Sequence, residues 1–516
     1  MSVLNTNLPA ALLLALVTWP CLPSAQEAGE TDAPAAVMTM EEVEKAWAAK
    51  DFIAVRQGLQ RLAEVDQQPF AMYRYARVLI QGRGGPKDMR SGVEWLEKAI
   101  EGGQLDASVL LARLLLSQGT GGPAPDPERA ARLLKSAAPR GNVEAQYYLA
   151  LLYREGVGVA QSAEDSLNWM LAAAEGGKID AQFEMSRMAS KTDPAKAVHW
   201  LQEAATSGHA EAQFFLGFAL DQGRGLARNT EAGFDWLHRS AEGGYVPAQV
   251  VVGRKYLKGE GTTQNGAEAE RWLQLAARAG SAEAMTELAA GHLAGTVLKS
   301  DPPLALALYK QAEQYGSPNA MVGLAAMLEE GQGGAAVDIE AAVALYREAL
   351  GEGHTGAAVR LGDLAGQGKL DGLLAPHRAV PWAMAAAQNG NTDALEWVRG
   401  HAQAGIRPAQ SAIGIWNITQ NGPLEEAVTF LTAAAEAGDP PAQHQLGLLF
   451  ISGQGVEQDY VQAHKWLNIA AASGSSAAAD KRAVVVDLMT AEQVAKAQTA
   501  ARAFFEQVKS PAGVSE

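Results

Sequence analysis

Apolar and small residues along this chain recur in one frame, repeated twelve times. Its anchor is a large apolar residue: Leu59, Trp95, Leu133, Trp169, Trp200, Trp236, Trp272, Leu308, Leu345, Trp382, Phe430 and Trp466. Small residues stand three before the anchor in most frames and four after it. Glycine follows at eight, except that Gln67 takes its place in the first frame, and alanine at twelve without exception, from Ala71 to Ala478. Leucine or a similar residue comes at sixteen, as in Leu111, Leu149, Leu216 and Leu446. Spacings of three and four gather residues on one face of a helix, so each frame predicts two helices. Helix A carries the anchor between its small residues, and helix B runs from about ten to twenty-two after it.

The punctuation agrees with that division. Seven before the anchor stand Asp88, Asp126, Asp193, Asp301, Asp338 and Asp459, with Asn229, Asn265 and Ser162 in the same slot; these are N-cap residues. Pro127, Pro194 and Pro302 follow where proline suits a first turn. The glycine at eight ends helix A, and a G-x-G loop beginning at Gly82, Gly156, Gly223, Gly259, Gly331 or Gly453 ends helix B.

A period of this length with two apolar stripes per unit marks a stacked helical solenoid. The full motif, AA–E–G–x–x–x–AQ–x–x–LG with its closing G-x-G, is written out in WLQEAATSGHAEAQFFLG from Trp200 and in FLTAAAEAGDPPAQHQLG from Phe430. It resembles the Sel-one-like repeat family, a branch of the tetratricopeptide-like solenoids, over about residues 45 to 480. That resemblance implies an all-α fold, a right-handed superhelical solenoid of about twelve antiparallel helix pairs that serves as a platform for assembling other proteins. It also implies a bacterial exported protein, since many members act in envelope signalling, surface polysaccharide production or host contact.

Three places break the rhythm. From Trp169 to Trp200 the spacing falls to 31 residues, the G-x-G loop is missing, and Ser190 to Pro194 makes a clipped connection. From Trp382 to Phe430 it grows to 48, read either as a loop insertion or as an extra helix dividing two subarrays. The loop from Gly119 to Pro127 is a smaller irregularity. Thr490-Ala491-Glu492-Gln493 reads as a capping box opening a helix, with Val494 and Phe504, that covers the last repeat. The expected organisation is a signal peptide over 1–25, a disordered leader over 26–39 and a repeat array over 40–398. An irregular insertion over 399–420, further repeats over 421–480, a C-terminal capping helix over 481–508 and a frayed tail over 509–516 complete it.

The signal is read from a first 25 residues without charge, an apolar run from Ala10 to Val17, and small residues at Ser24 and Ala25. The run is too short to span a bilayer, so no direct membrane span is expected in the mature chain. Trp19 and Pro20 stand where acylation of Cys21 would need small residues, which argues against a lipoprotein. Cys21 is the only cysteine, so a chain cut after Ala25 has no disulfide, thiol nucleophile or sulfur ligand. The net charge of −16 argues against nucleic acid and anionic lipid as partners.

Enzyme signatures give no candidate. H-E-x-x-H, G-x-S-x-G and P-loop motifs do not occur. Gly351 to Gly356 matches G-x-G-x-x-G, but between two helices and without the strand a dinucleotide site requires. His199, His238 and His464 follow the repeat and read as exposed positions on helix A. Glu94, Glu97, Glu101 and Glu340 read as a solvated face. Some cysteine-rich relatives are linked to β-lactams; paired cysteines and S-x-x-K are missing here. No catalytic, cofactor-binding or metal-ligating residue is therefore assigned, and no cofactor. The tryptophan anchors are expected in the core, leaving Trp47, Trp397 and Trp416 for surface contact. The function expected is an exported, non-enzymatic scaffold or adaptor for protein partners, envelope or membrane proteins, with variable polar positions of helix A giving specificity. It would be periplasmic or secreted and act in envelope signalling or polysaccharide production. The alternative is a cell-wall or glycan-binding protein or hydrolase.

Overall fold

The structure, a computed structural model, describes residues 38–117 and 121–509. Every regular element among the described residues is helical. After α1 (Met40–Ala48), pairs follow in chain order: α2 (Phe52–Glu64) with α3 (Pro69–Gln81), α4 (Met89–Glu101) with α5 (Leu105–Leu116), and α6 (Pro127–Ala137) with α7 (Val143–Glu155). Next come α8 (Ala163–Glu175) with α9 (Ile179–Ala189), α10 (Pro194–Thr206) with α11 (Ala210–Gln222), and α12 (Thr230–Glu242) with α13 (Val246–Lys258). Then α14 (Gly266–Arg278) pairs with α15 (Ala282–Ala294), α16 (Pro302–Gln314) with α17 (Pro318–Glu330), α18 (Ile339–Gly351) with α19 (Gly356–Gly366), and α20 (Pro376–Gln388) with α21 (Thr392–Gln403). A single α22 (Arg407–Thr419) precedes α23 (Leu424–Glu436) with α24 (Pro440–Ser452) and α25 (Tyr460–Ala472) with α26 (Ser476–Val486); α27 (Ala491–Lys509) closes the order. The chain is a helical repeat solenoid, and it has the helix pairs that the spacing predicts. Its residues fall into two compact units, divided after Val252, with 260–262 belonging to the first.

Helix starts lie where the caps place them. Asp88, Asp126, Ser162, Asp193, Asn229, Asn265, Asp301, Asp338 and Asp459 each accept a first-turn backbone N–H at 2.8–3.2 Å. The A–B turn needs a left-handed residue, as Gly103 shows with φ 87°. Gln67, in the one frame without that glycine, is itself forced to φ 49°.

The tightest packing runs from one frame to the next. Helix B packs more extensively on the next frame's helix A than on its own partner, as α11 does on α12 and α15 on α16. Small residues permit it. A Cβ on Gly217 of α11 would lie 2.8 Å from the Gly233 carbonyl of α12, and one on Gly253 would lie 3.3 Å from the Ala269 carbonyl. The alanine twelve after each anchor, from Ala71 to Ala478, is fully buried in all twelve frames.

The tryptophan anchors need correction. Trp272 and Trp466 are buried, but Trp95, Trp169, Trp200, Trp236 and Trp382 are only half-buried. The sealed position is one residue later, in Leu96, Leu134, Met170, Leu237, Leu273 and Tyr346. Positions −3, +1 and +4 make the stripe that faces the core, and the anchor sits at its margin.

The irregular segments resolve differently from their expectation. Residues 399–420, set apart as an irregular insertion, hold the end of α21 and the whole of α22, so of the two readings of the long spacing the structure has the extra helix. α22 packs on α23 as a helix B packs on the next helix A. The expected capping helix over 481–508 is two elements: residues 481–486 belong to α26, and α27 starts at Ala491. The Thr490–Gln493 capping box is formed at both hydrogen bonds, 2.8 and 3.2 Å. Residues 1–37, with the expected signal and most of the leader, lie outside the described residues, as do 510–516 of the tail and 118–120 of the Gly119 loop.

Candidate interaction surface

Helix B, not helix A, builds a groove in the first unit. Positions eleven, fourteen and eighteen after the anchor share one helical face, and there α3, α5, α7 and α9 place acids, aromatics and arginines: Asp106, Glu144 and Asp180; Tyr73 and Tyr147; Arg77 and Arg113. With Tyr148 and Lys178 they line a cavity of about 510 Å³. Through Tyr73 and Arg77 it joins a 330 Å³ hollow against Trp47 and Phe70. Through Glu144, Lys178 and Asp180 it joins one of 470 Å³ beside His209. The result is one continuous strip across four B helices.

Its charges are held in place by pairing. Lys178 bonds Glu144 at 2.8 Å and Asp180 at 2.9 Å. Burial works against the ammonium, but those two carboxylates outweigh it and hold Lys178 above its ordinary value, hence charged. Asn142 bonds the other acid, Asp106, at 2.9 Å. Arg77 lies 5.6 Å over the Tyr73 ring and Arg113 5.5 Å over Tyr148. Burial first, then the charges of Asp180 and Glu184, push the Tyr147 hydroxyl up to about 12. Burial likewise raises Tyr73 and Tyr148, so all three phenols remain neutral donors near neutral pH. Paired ions, fixed phenols and flat aromatic faces suit reversible contact with a polypeptide.

The residues singled out by sequence fall variously. Trp47 lines the strip's first hollow, with Arg74 and Arg83 each 5.2 Å from its ring. Trp397 and Trp416 are half-buried in the second unit, and Trp397 packs on His401 at 4.0 Å. Gly351 to Gly356 forms the α18–α19 turn. His199 is exposed and His238 half-buried, whereas His464, expected on the surface, is buried. Glu97 pairs with Arg129, and Glu94, Glu101 and Glu340 are exposed. The polar positions of helix A, expected to carry specificity, do not line this strip. The face on helix B was visible in sequence as the eleven–fourteen–eighteen series, but helix B was read only for its alanine and leucine.

Among the described residues no cluster of three or more histidines or carboxylates could hold a metal ion, and no helix is long and apolar enough to cross a membrane.

The Sel1 repeat profile matches residues 69–104, 105–142, 143–178, 179–209, 210–245, 246–281, 282–314, 318–354 and 440–475. The chain belongs to the Sel1-repeat family. Every matched span begins at a helix B and runs into the next helix A, the same pairing that packs most tightly here. A solved Sel1-like fold, a protective antigen present in uropathogenic Escherichia coli strains, superposes with a TM-score of 0.58 at 25% identity, over 89% of this chain and 99% of that one. An uncharacterized protein of Neisseria meningitidis serogroup B is 31% identical over 143 residues, 28% of this chain and 30% of that protein. Chitin synthase regulatory factor 3 of Schizosaccharomyces pombe is 30% identical over 180 residues, 33% of this chain and 19% of that protein. A chitin synthase regulator of Saccharomyces cerevisiae is 30% identical over 186 residues, 33% and 27% respectively. The chain thus spans less than a third of the length of these curated relatives. Sel1-repeat proteins are protein-interaction scaffolds, and the fold is generally non-catalytic.

Proposed function

We propose that this Sel1-repeat protein is an exported scaffold that binds an envelope or membrane protein along the tyrosine-lined strip of α3, α5, α7 and α9, in envelope signalling or polysaccharide production. The strip itself carries the reading: the B helices of four successive repeats line one groove with paired ions and with phenols that burial keeps neutral. The names of the fungal relatives, regulators of a polysaccharide synthase, favour the second setting. The uncharged start and the small residues at Ser24 and Ala25 support export.

Two measurements test this. N-terminal sequencing of the chain from an envelope fraction should begin at Gln26; an intact Met1 in the cytoplasmic fraction would remove export. Whole-cell crosslinking of a C-terminally tagged chain should capture one reproducible protein, and Tyr148→Ala with Arg77→Glu should cut that capture at least tenfold. Capture that ignores both substitutions would displace the strip. The aromatic faces also suit a sugar, so calorimetry with cell-wall fragments separates the alternative: saturable binding lost in Tyr148→Ala would favour a glycan.

A further inference from the structure

We propose that His209 makes the tyrosine-lined strip sensitive to acid: the neutral ring caps α11 and leaves Asp180 to Lys178, whereas the protonated ring gives up the cap, turns to Asp180 and releases the bound partner. This rests on the strip being the surface that the partner protein occupies. Among the described residues that line the strip, His209 is the one whose ordinary pKa lies near neutrality.

The geometry fixes the neutral form. His209 is the N-cap of α11, and its Nδ1 accepts the Ala212 N–H at 3.1 Å. A ring nitrogen accepts only while it carries no proton, so the proton of the neutral ring sits on Nε2. In the same slot, nine after the anchor, side-chain oxygens of Asn142, Ser281, Ser317, Asn391, Asp439 and Ser475 make this bond. His354 stands there too, but among the described residues its Nδ1 has no partner. The His209 ring lies on Phe183 with centroids 4.5 Å apart, and its Nε2 is 3.8 Å from Asp180 Oδ1. That is too long for a hydrogen bond, while Lys178 holds the other oxygen of the same carboxylate at 2.9 Å.

A proton reverses each of these relations. The imidazolium carries N–H groups at both nitrogens, so Nδ1 opposes the Ala212 N–H instead of accepting it. Its charge also sits at the positive end of α11, where a cation is disfavoured. Carboxylates pull the ring the other way: Asp180 and Glu184 of α9 and Glu211 of α11 act on it, and Glu144 of α7 and Lys178 line the same hollow. Asp180 already faces Nε2, so the freed ring turns there and competes with Lys178 for that carboxylate. Burial opposes the proton more than the carboxylates favour it, which holds His209 below its ordinary 6.5. The cap is therefore intact at neutral pH and lost as pH falls through a folded value under 6.5. A partner fitted to the capped strip then loses a fixed helix start and a fixed ammonium together, so acid weakens its binding.

The test compares the full chain with His209→Asn, because asparagine caps this slot at Asn142 and Asn391 and does not titrate. Hydrogen exchange of both chains, side by side from pH 7.5 to 4.5, cancels the intrinsic pH dependence of exchange. Protection of the first turn of α11 should fall at least tenfold in wild type relative to the variant, in step with the His209 ring resonance. Asp180→Asn removes the nearest pull on the proton and should move that midpoint to lower pH. The partner captured through Tyr148 should leave immobilised wild type at least tenfold more at pH 5.5 than at pH 7.5, and that ratio should fall to about one in His209→Asn. Unchanged protection while the ring titrates, no ring titration above pH 4.5, or equal release ratios in the two chains would each overturn the proposal. Such a failure, with Tyr148→Ala still cutting capture tenfold, sinks the switch alone. Capture that ignores Tyr148 removes the strip instead, and the switch's role with it, even where the cap opens as expected.

Discussion

Gln443 is sealed in the core, and its side-chain amide donates to the Ala435 carbonyl at 3.0 Å, tying the first turn of α24 to the end of α23. Gln146, Gln182, Gln213 and Gln249 make the same bond in their own frames, at 3.0–3.4 Å. This explains the glutamine of the AQ motif: a carbonyl left over at the end of helix A would otherwise be buried unpaired. Gln443→Leu keeps the volume and removes the donor, so it should lower stability by about 1–3 kcal/mol, read as a shift of the urea midpoint. His464 gives a second residue-scale expectation. Burial, then the nearby charge of Arg482, holds its pKa below the ordinary value, so the folded state disfavours the proton that the unfolded chain accepts. Stability should therefore fall as pH drops below about 6.5, the unfolded histidine's range, and stop falling once the folded imidazole also titrates. Denaturation midpoints from pH 7 to 5 should show a slope that His464→Gln reduces. An unchanged slope would assign the pH response to other groups.

Among the elements, α22 shows how a solenoid absorbs an extra helix. Arg399 stands at a position that is glycine, alanine or serine in the other frames, Gly217 and Ala289 for instance, and it reaches Glu426 of α23 at 2.5 Å. Asn417 of α22 bonds the same carboxylate at 2.7 Å, so one acid holds three helices. The Arg399 bond first, then that from Asn417, keep Glu426 below its ordinary range. A depressed carboxylate stabilises above its unfolded value and loses that contribution as pH falls through the folded value. Glu426→Gln should destabilise the second unit by about 1–3 kcal/mol at pH 7, with the difference from wild type shrinking below about pH 4. Hydrogen exchange in α21 to α23 would read it. Sequence could not show this lock, because Arg399, Asn417 and Glu426 meet only after α22 is folded. Caps, turns and helix lengths were legible because they depend on neighbours within a few residues. The B-to-A pairing was not, since the frame can be cut at either turn and only packing decides between them. The strip escaped because helix B was read for its alanine and leucine alone, and only the folded array shows that Asp106, Glu144 and Asp180 line one groove.

For the molecule as a whole, stability is a sum of neighbour interfaces, and an end has one fewer. α27 supplies the missing interface at the C-terminal end by packing on α25, with Ala497 and Ala501 buried and Phe504 meeting Trp466 edge-on at 5.6 Å. Without it, Trp466 and Ile469, now buried, would face water. A chain ending before Thr490 should therefore bind a hydrophobic dye and self-associate, whereas Phe504→Ala, which trims one half-buried ring, should cost about 2 kcal/mol and leave the chain monodisperse. Loss of the helix should lower the unfolding midpoint of the second unit first, because in a stacked array the damage enters at the uncapped end and spreads only through adjacent pairs. Exchange protection lost in α24 to α26 and kept in α14 to α17 would match that order. Uniform loss across the second unit would mean that it unfolds as one cooperative block, with α27 acting on all of its helices at once.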